Sequence, residues 1–255
     1  MQKRGQVSIF VIVGIVLVIL VMLLWYLNDQ GIVPITGSGS SITTKVDSIK
    51  NEVQRCSEQG VREGLNVFGK QGGEFTPLSY VRYYSMNVPY YCTFIPKSEK
   101  CLNIMPLLEN IRLDFERYVN NYMKNCVSAD IVKSSNGVDV KTGEMKVNVE
   151  FDDNVVVNVN YDVRVSKEGS AMALDRLRIS VADTPVKELY NIAYDIIQAK
   201  TMGYEFDQNV YMIKKYGLYE INVDKPYPDI IYKINKKDSK FELWFAVEGK
   251  EEWIA

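Results

Sequence analysis

GEMKVNVEFDDNVVVNVNYDVRV, residues 143–165, decides the fold class. Met145, Val147, Val149 and Phe151 alternate with Lys146, Asn148 and Glu150. After Asp152-Asp153-Asn154, the alternation resumes through Val155, Val157, Val159, Tyr161, Val163 and Val165. Side chains on a strand point to opposite faces at successive residues, so a strict period of two on both arms predicts a half-buried antiparallel hairpin. Lys167-Glu168-Gly169 turns the chain into a third strand through Met172, Leu174, Leu177, Ile179 and Val181. The phase slips between 174 and 177, where a bulge is expected.

Working outward, the period changes from two to about 3.6. Upstream, Val46, Ile49, Val53, Cys56, Gly60, Leu65 and Phe68 form one apolar stripe that starts at Thr43 or Thr44 and stops at GKQGG, Gly69–Gly73. On that stripe Gly60 and Gly64 mark either a close helix contact, or a weak point or a kink. Pro106 opens a second helix with Leu108, Ile111, Phe115, Tyr118, Tyr122 and Cys126 inward. Downstream, Asp183-Thr184-Pro185 is expected to cap a third helix that buries Leu189, Ile192, Ala193, Ile196 and Ile197. The last stretch, DIIYKINKKDSKFELWFAVEG, reads as a hairpin turning at Lys236–Lys240. The pattern is α+β, with about three helices around an antiparallel sheet of three to five strands.

The N-terminus has a different character. From Val7 to Leu27 no residue is charged, and a helix of that length covers about 30 Å, the hydrocarbon thickness of a bilayer. Residues 7–27 are therefore expected to be a transmembrane helix in contact with membrane lipid. Trp25 and Tyr26 suit the lipid–water boundary, and Lys3 and Arg4 ahead of the segment predict that the rest lies outside. The expected organisation is a cytoplasmic basic leader over 1–6, the membrane helix over 7–27, a flexible linker over 28–42 rich in Gly and Ser, and an extracytoplasmic α+β domain over 43–255.

Cys56, Cys92, Cys101 and Cys126 all fall on the external side. An even count in an oxidising compartment reads as two disulfides. Of three possible pairings, Cys92–Cys101 would close a short loop over Pro96, and Cys56–Cys126 would tie two helices, contributing roughly 4 kcal/mol by loop entropy.

Composition excludes several functions. The formal net charge is −2, with Lys3 and Arg4 lying ahead of the apolar run, so the external part lacks the basic face that nucleic acid demands. The chain has no histidine, which removes Ser-His-Asp, Cys-His and His-based metal chemistry. No phosphate-cradling glycine loop occurs, and no cofactor is expected. The acidic pairs Asp152-Asp153 and Glu251-Glu252 read as turn and surface charge. An unusually tyrosine-rich stretch, YVRYYSMNVPYYCTF, places Tyr83, Tyr84, Tyr90 and Tyr91 as a candidate aromatic surface for a glycan or a peptide, with strand packing as the alternative.

Lys3, Arg4, Gly5, Gln6 and Ser8, followed by the apolar run, resemble the class III signal peptide of archaeal type IV pilins and related surface proteins. The resemblance implies a processing site between Gly5 and Gln6, with the helix packed in a filament core. Phe10 occupies the fifth mature position, where such pilins carry glutamate. The KRGQVSIF start and the run from Cys56 to Gly73 are also similar to single-pass membrane proteins of small-genome archaea. That likeness implies an archaeal origin and an extracytoplasmic α+β domain. Together these readings give the expected function: a non-enzymatic structural or interaction protein of the cell surface, anchored in the membrane, with protein partners or self-assembly.

Overall fold

A computed structural model describes residues 39–95, 100–134, 139–167, 170–173, 177–181 and 183–249, together with positions 13, 14, 16–18, 21 and 22. Four helices and ten strands make up the described body: α1 (Gly39–Lys70), β1 (Tyr80–Tyr83), β2 (Met86–Phe94), β3 (Cys101–Asn103), α2 (Leu108–Ser134), β4 (Asp139–Phe151), β5 (Val155–Lys167), β6 (Ser170–Ala173), β7 (Leu177–Val181), α3 (Val186–Thr201), α4 (Gln208–Lys214), β8 (Tyr219–Asp224), β9 (Ile230–Lys236) and β10 (Glu242–Val247).

The fold is α+β, but two expectations are corrected. Among the described residues no helix is long and apolar enough to cross a membrane. Within residues 7–27 only positions 13, 14, 16–18, 21 and 22 are described; they are helical and exposed. Secondly, the strands form two sheets instead of one. The four-stranded sheet runs β4-β5-β6, with β7 also on β5, and is antiparallel throughout. The six-stranded sheet runs β1-β2-β10-β9-β8, with β3 also on β2, and its β2–β10 pair is parallel. That pair joins segments some 150 residues apart, which no local pattern announces.

The quoted hairpin is β4–β5. Phe151 pairs with Val155 and Val147 with Val159, and the register shifts between Thr142 and Met145. Its core face carries Met145, Val149, Phe151, Val155, Val157, Val159, Val163 and Val165, all buried. The third strand is divided into β6 and β7, which pair with different ends of β5; the expected bulge falls on residues 174–176, outside the described residues.

α1 is the spine between the sheets. It starts at Gly39, a turn ahead of Thr43, and its buried stripe of Val46, Ile49, Val53, Cys56, Val61, Leu65 and Phe68 follows helical spacing. It stops where Gly72 and Gly73 take positive φ (58° and 80°) and the Gly73 amide closes on the Phe68 carbonyl. α2 crosses it under the Cys56–Cys126 disulfide, whose Cα atoms are 5.9 Å apart. Phe68 of α1 and Phe115 of α2 then meet Phe151 of β4, with Phe75 of the intervening loop packed on Phe68 and Phe115, and Phe68 and Phe115 edge to face at 4.9 Å. The six-stranded sheet reaches the same spine through Tyr91, which stacks on Phe245 at 4.8 Å and donates its hydroxyl to the Gly72 carbonyl at 2.5 Å. α3 closes this sheet's inner side with Val186, Leu189, Ile192, Ala193, Ile196 and Ile197 buried. Its expected side-chain cap is replaced: Pro185 is the N-cap, without a side-chain hydrogen bond. The Thr184 hydroxyl instead donates to the Val181 carbonyl and accepts from the Val155 amide.

The glycine pair on α1 is a close contact and not a weak point. A Cβ on Gly64 would stand 2.7 Å from the Tyr118 ring, and one on Gly60 would stand 2.6 Å from the Tyr122 ring. The two rings differ in freedom, because Tyr118 is stacked on Phe75 at 4.1 Å, sandwiched at the helix crossing. Gly64→Ala gains about 1 kcal/mol of helix propensity but overpacks a confined ring, at a cost of about 1–3 kcal/mol. Urea unfolding is expected to show Gly64→Ala less stable than wild type and less stable than Gly60→Ala. Equal or raised stability in Gly64→Ala would remove the close-contact explanation.

Candidate functional site

The tyrosine-rich segment folds into β1 and β2, where successive side chains take opposite faces. That alternation separates the four candidate tyrosines. Tyr91 is 0 % exposed and belongs to the core, its hydroxyl pushed well above the ordinary tyrosine range by burial. It is removed from any binding surface. Tyr90, its neighbour, faces the other side and donates to Asp229 Oδ2 at 2.8 Å. Burial and that hydrogen bond both raise its pKa. Tyr83 donates to Asp224 Oδ2. Only Tyr84 is freely exposed, at 78 %. It sits with Ser85 at positive φ (43° and 65°) in the two-residue turn between β1 and β2, with its ring edge-on to Tyr83 at 4.5 Å.

Beneath Tyr83 the outer face of the six-stranded sheet carries a second apolar cluster of Val88, Ile231, Trp244 and Ala246. The Lys233 ammonium lies 5.8 Å from the Tyr83 ring and 5.7 Å from Trp244, and pairs with Asp224 at 2.5 Å. Hydrogen bonds from Lys233 and then Tyr83 hold the Asp224 carboxyl below its ordinary value. Lys70 of α1 also lies 5.7 Å from Trp244, while the indole N–H donates to Glu242 Oε2 at 2.9 Å. These groups satisfy one another, and they brace the β1–β2 hairpin against the sheet. Sequence reasoning missed Trp244 and Lys233. The signal was the unbroken run Leu243–Val247, which reads as a strand apolar on both faces.

Lys70 and Glu242 lead to an open cleft of about 530 Å³ between the sheets. Arg62, Leu65 and Lys70 of α1 form its floor; Asp183 and Thr184 stand on one side, and Lys240, Phe241 and Glu242 on the other. The cleft continues along β7, where Arg178–Val181 face Glu58 and Arg62 of α1. Toward the four-stranded sheet's turn it meets Asp153, Asn154 and Asp183. Ser239 closes one end by donating to the Asp183 carbonyl at 2.5 Å. Arg62 and Arg178 make no ion pair or hydrogen bond among the described residues. Among the described residues β7 pairs with β5 alone, so no described strand covers its other edge beside this groove.

The remaining expected sites are readily placed. Both disulfides, Cys56–Cys126 and Cys92–Cys101, are formed. Asp152 and Asp153 are exposed at the β4–β5 turn. Gly5, Gln6, Glu251 and Glu252 lie outside the described residues. Among the described residues, no group of three or more Asp, Glu, Cys or His side chains is placed to hold a metal ion. No protein-family model, curated protein or solved structure matches this chain.

The Asp224 network has a defined pH signature. Its folded pKa is depressed, so its contribution to stability is fully present above the unfolded value near 3.8 and is lost as pH falls through the folded value. The stability gap between wild type and Asp224→Asn, followed by urea unfolding across pH, is expected to be open at neutral pH and to narrow in acid. A gap independent of pH would show that Asp224 acts by packing and not by charge.

Proposed function

We propose that this chain is an extracytoplasmic structural and interaction protein of the cell surface. It associates with lipid through its apolar N-terminal sequence and holds an extended polypeptide segment in the groove along β7. The external setting is supported by two disulfides that use all four cysteines, an economy typical of oxidising compartments. The observation that carries the binding role is the edge of β7 that no described strand covers, beside Arg62 and Arg178. An open edge adds a strand through main-chain hydrogen bonds, and flanking side chains then set which segment fits. The groove is lined by both cations (Arg62, Arg178, Lys70, Lys240) and anions (Glu58, Asp183, Asp238, Glu242), which suits a polypeptide of mixed charge better than a uniformly charged ligand. The pilin-like start extends the same reading. Cleavage between Gly5 and Gln6 would deliver the chain to a surface assembly, with a second copy among the candidate partners.

A photo-crosslinking amino acid in place of Ser180, on the exposed side of β7, tests this in the native host. Irradiation is expected to yield a covalent adduct with a defined polypeptide, another protein or a second copy. Arg62→Glu is expected to cut its yield several-fold. Absence of a polypeptide adduct, or a yield indifferent to Arg62→Glu, rules the groove out as the binding site.

A further inference from the structure

α4 and the turn after it carry a second surface, remote from β7 in the chain and independent of the groove. The sequence QNVYMIKKYGL, residues 208–218, divides by side. Tyr211 and Met212 pack toward the core, where the Met212 sulfur accepts the Ile221 amide. Val210, Ile213, Tyr216 and Leu218 face outward; Ile213 is 76 % exposed and Tyr216 is 92 % exposed. No residue of this helix is buried. Backbone hydrogen bonds gather the outward side chains at one tip: Tyr216 amide to Ile213 carbonyl, Leu218 amide to Lys215 carbonyl, and Lys237 amide to Leu218 carbonyl. Tyr216 and Gly217 hold this tight turn at positive φ (55° and 64°).

Lysines surround the apolar tip. Lys214 and Lys215 follow Ile213 directly, and the Lys237 ammonium lies 3.6 Å from where a Gly217 Cβ would stand. None of the three is in an ion pair among the described residues. The nearby acidic groups are mostly engaged elsewhere. Asp207 caps α4, Asp195 accepts from the Tyr211 hydroxyl, and Glu188 is paired with Lys236. Asp238 is the exposed acid beside Lys237. Lys215 lies over the Tyr211 ring at 5.5 Å, so a chain with net charge −2 concentrates three lysines, none of them in an ion pair among the described residues, around one exposed aliphatic and aromatic tip.

We propose that this tip docks onto an anionic lipid surface. Ile213, Leu218 and the Tyr216 ring would enter the headgroup boundary, and Lys214, Lys215 and Lys237 would meet the headgroup charges. The charge pattern selects this occupant. An aromatic residue with aliphatic neighbours partitions into the interfacial layer, and lysines beside it add attraction that depends on lipid charge and on salt.

Hydrogen–deuterium exchange of the full chain tests the docking. The protein is mixed with zwitterionic vesicles, with the same lipid containing phosphatidylglycerol, and with no lipid at several protein concentrations. Peptides covering residues 208–218 are expected to gain protection with the anionic vesicles alone and to lose it in high salt. Lys214→Glu/Lys215→Glu and, separately, Ile213→Ser/Tyr216→Ser are expected to abolish the gain; both pairs are exposed, and unchanged exchange in β8–β10 checks that they fold. No protection, equal protection on zwitterionic vesicles, or protection that follows protein concentration without lipid would each overturn the proposal. Because residues 208–218 are read separately from β7, failure here leaves the groove reading standing.

Discussion

The rest of the structure depends on the crossing of α1 and α2. Two helices can approach this closely only where side chains are removed, and Gly60 and Gly64 remove them under the rings of Tyr122 and Tyr118. The Cys56–Cys126 disulfide fixes the crossing a turn away. Everything else is arranged on that pair. The four-stranded sheet is bound through the Phe68, Phe115 and Phe151 cluster. The six-stranded sheet is bound through Tyr91, whose hydroxyl satisfies the Gly72 carbonyl left open where α1 ends. The two sheets share little apart from this spine, so the groove between them exists because α1 holds them at a set separation.

That arrangement links stability to the proposed binding role. The groove is floored by the outer side of the same helix whose buried side carries the core, so Arg62 and Lys70 are positioned by Val61 and Phe68 beneath them. A rigid floor beside an open strand edge lowers the ordering cost of an added strand, since only the incoming segment must be fixed. The tyrosine-rich hairpin has a bracing role instead. Tyr83, Lys233, Asp224 and Trp244 satisfy one another's charges and rings, which leaves them little capacity for a ligand.

Much of the body was legible in the sequence because its signals are local. Period two across Met145–Phe151 and Val155–Val165 gave the hairpin, and the helical stripes gave α1, α2 and the buried face of α3. Cysteine positions on adjoining helices gave the Cys56–Cys126 bridge. What was not legible is what depends on distant partners. The parallel contact of β2 with β10 turned one expected sheet into two. Tyr90 and Tyr91 are adjacent and chemically identical, yet one faces an aspartate and the other the core, a distinction fixed only by which face of β2 meets α1. The groove was equally hidden, since Arg62, Asp183 and Glu242 come from three elements with no common motif. The apolar run over 7–27 was read from hydropathy alone, and no described helix has the length and apolarity to span a bilayer.

Native-state hydrogen exchange of the Cys56→Ser/Cys126→Ser protein tests the dependence on the α1–α2 crossing most directly. Loss of a bridge closing a loop of 70 residues is expected to cost about 4 kcal/mol. If α1 organises both sheets, protection in β5 and in β9–β10 should fall together with that of the helices, by similar amounts. Loss confined to α1 and α2, with either sheet keeping its full protection, would contradict the claim that one helix pair holds the whole structure.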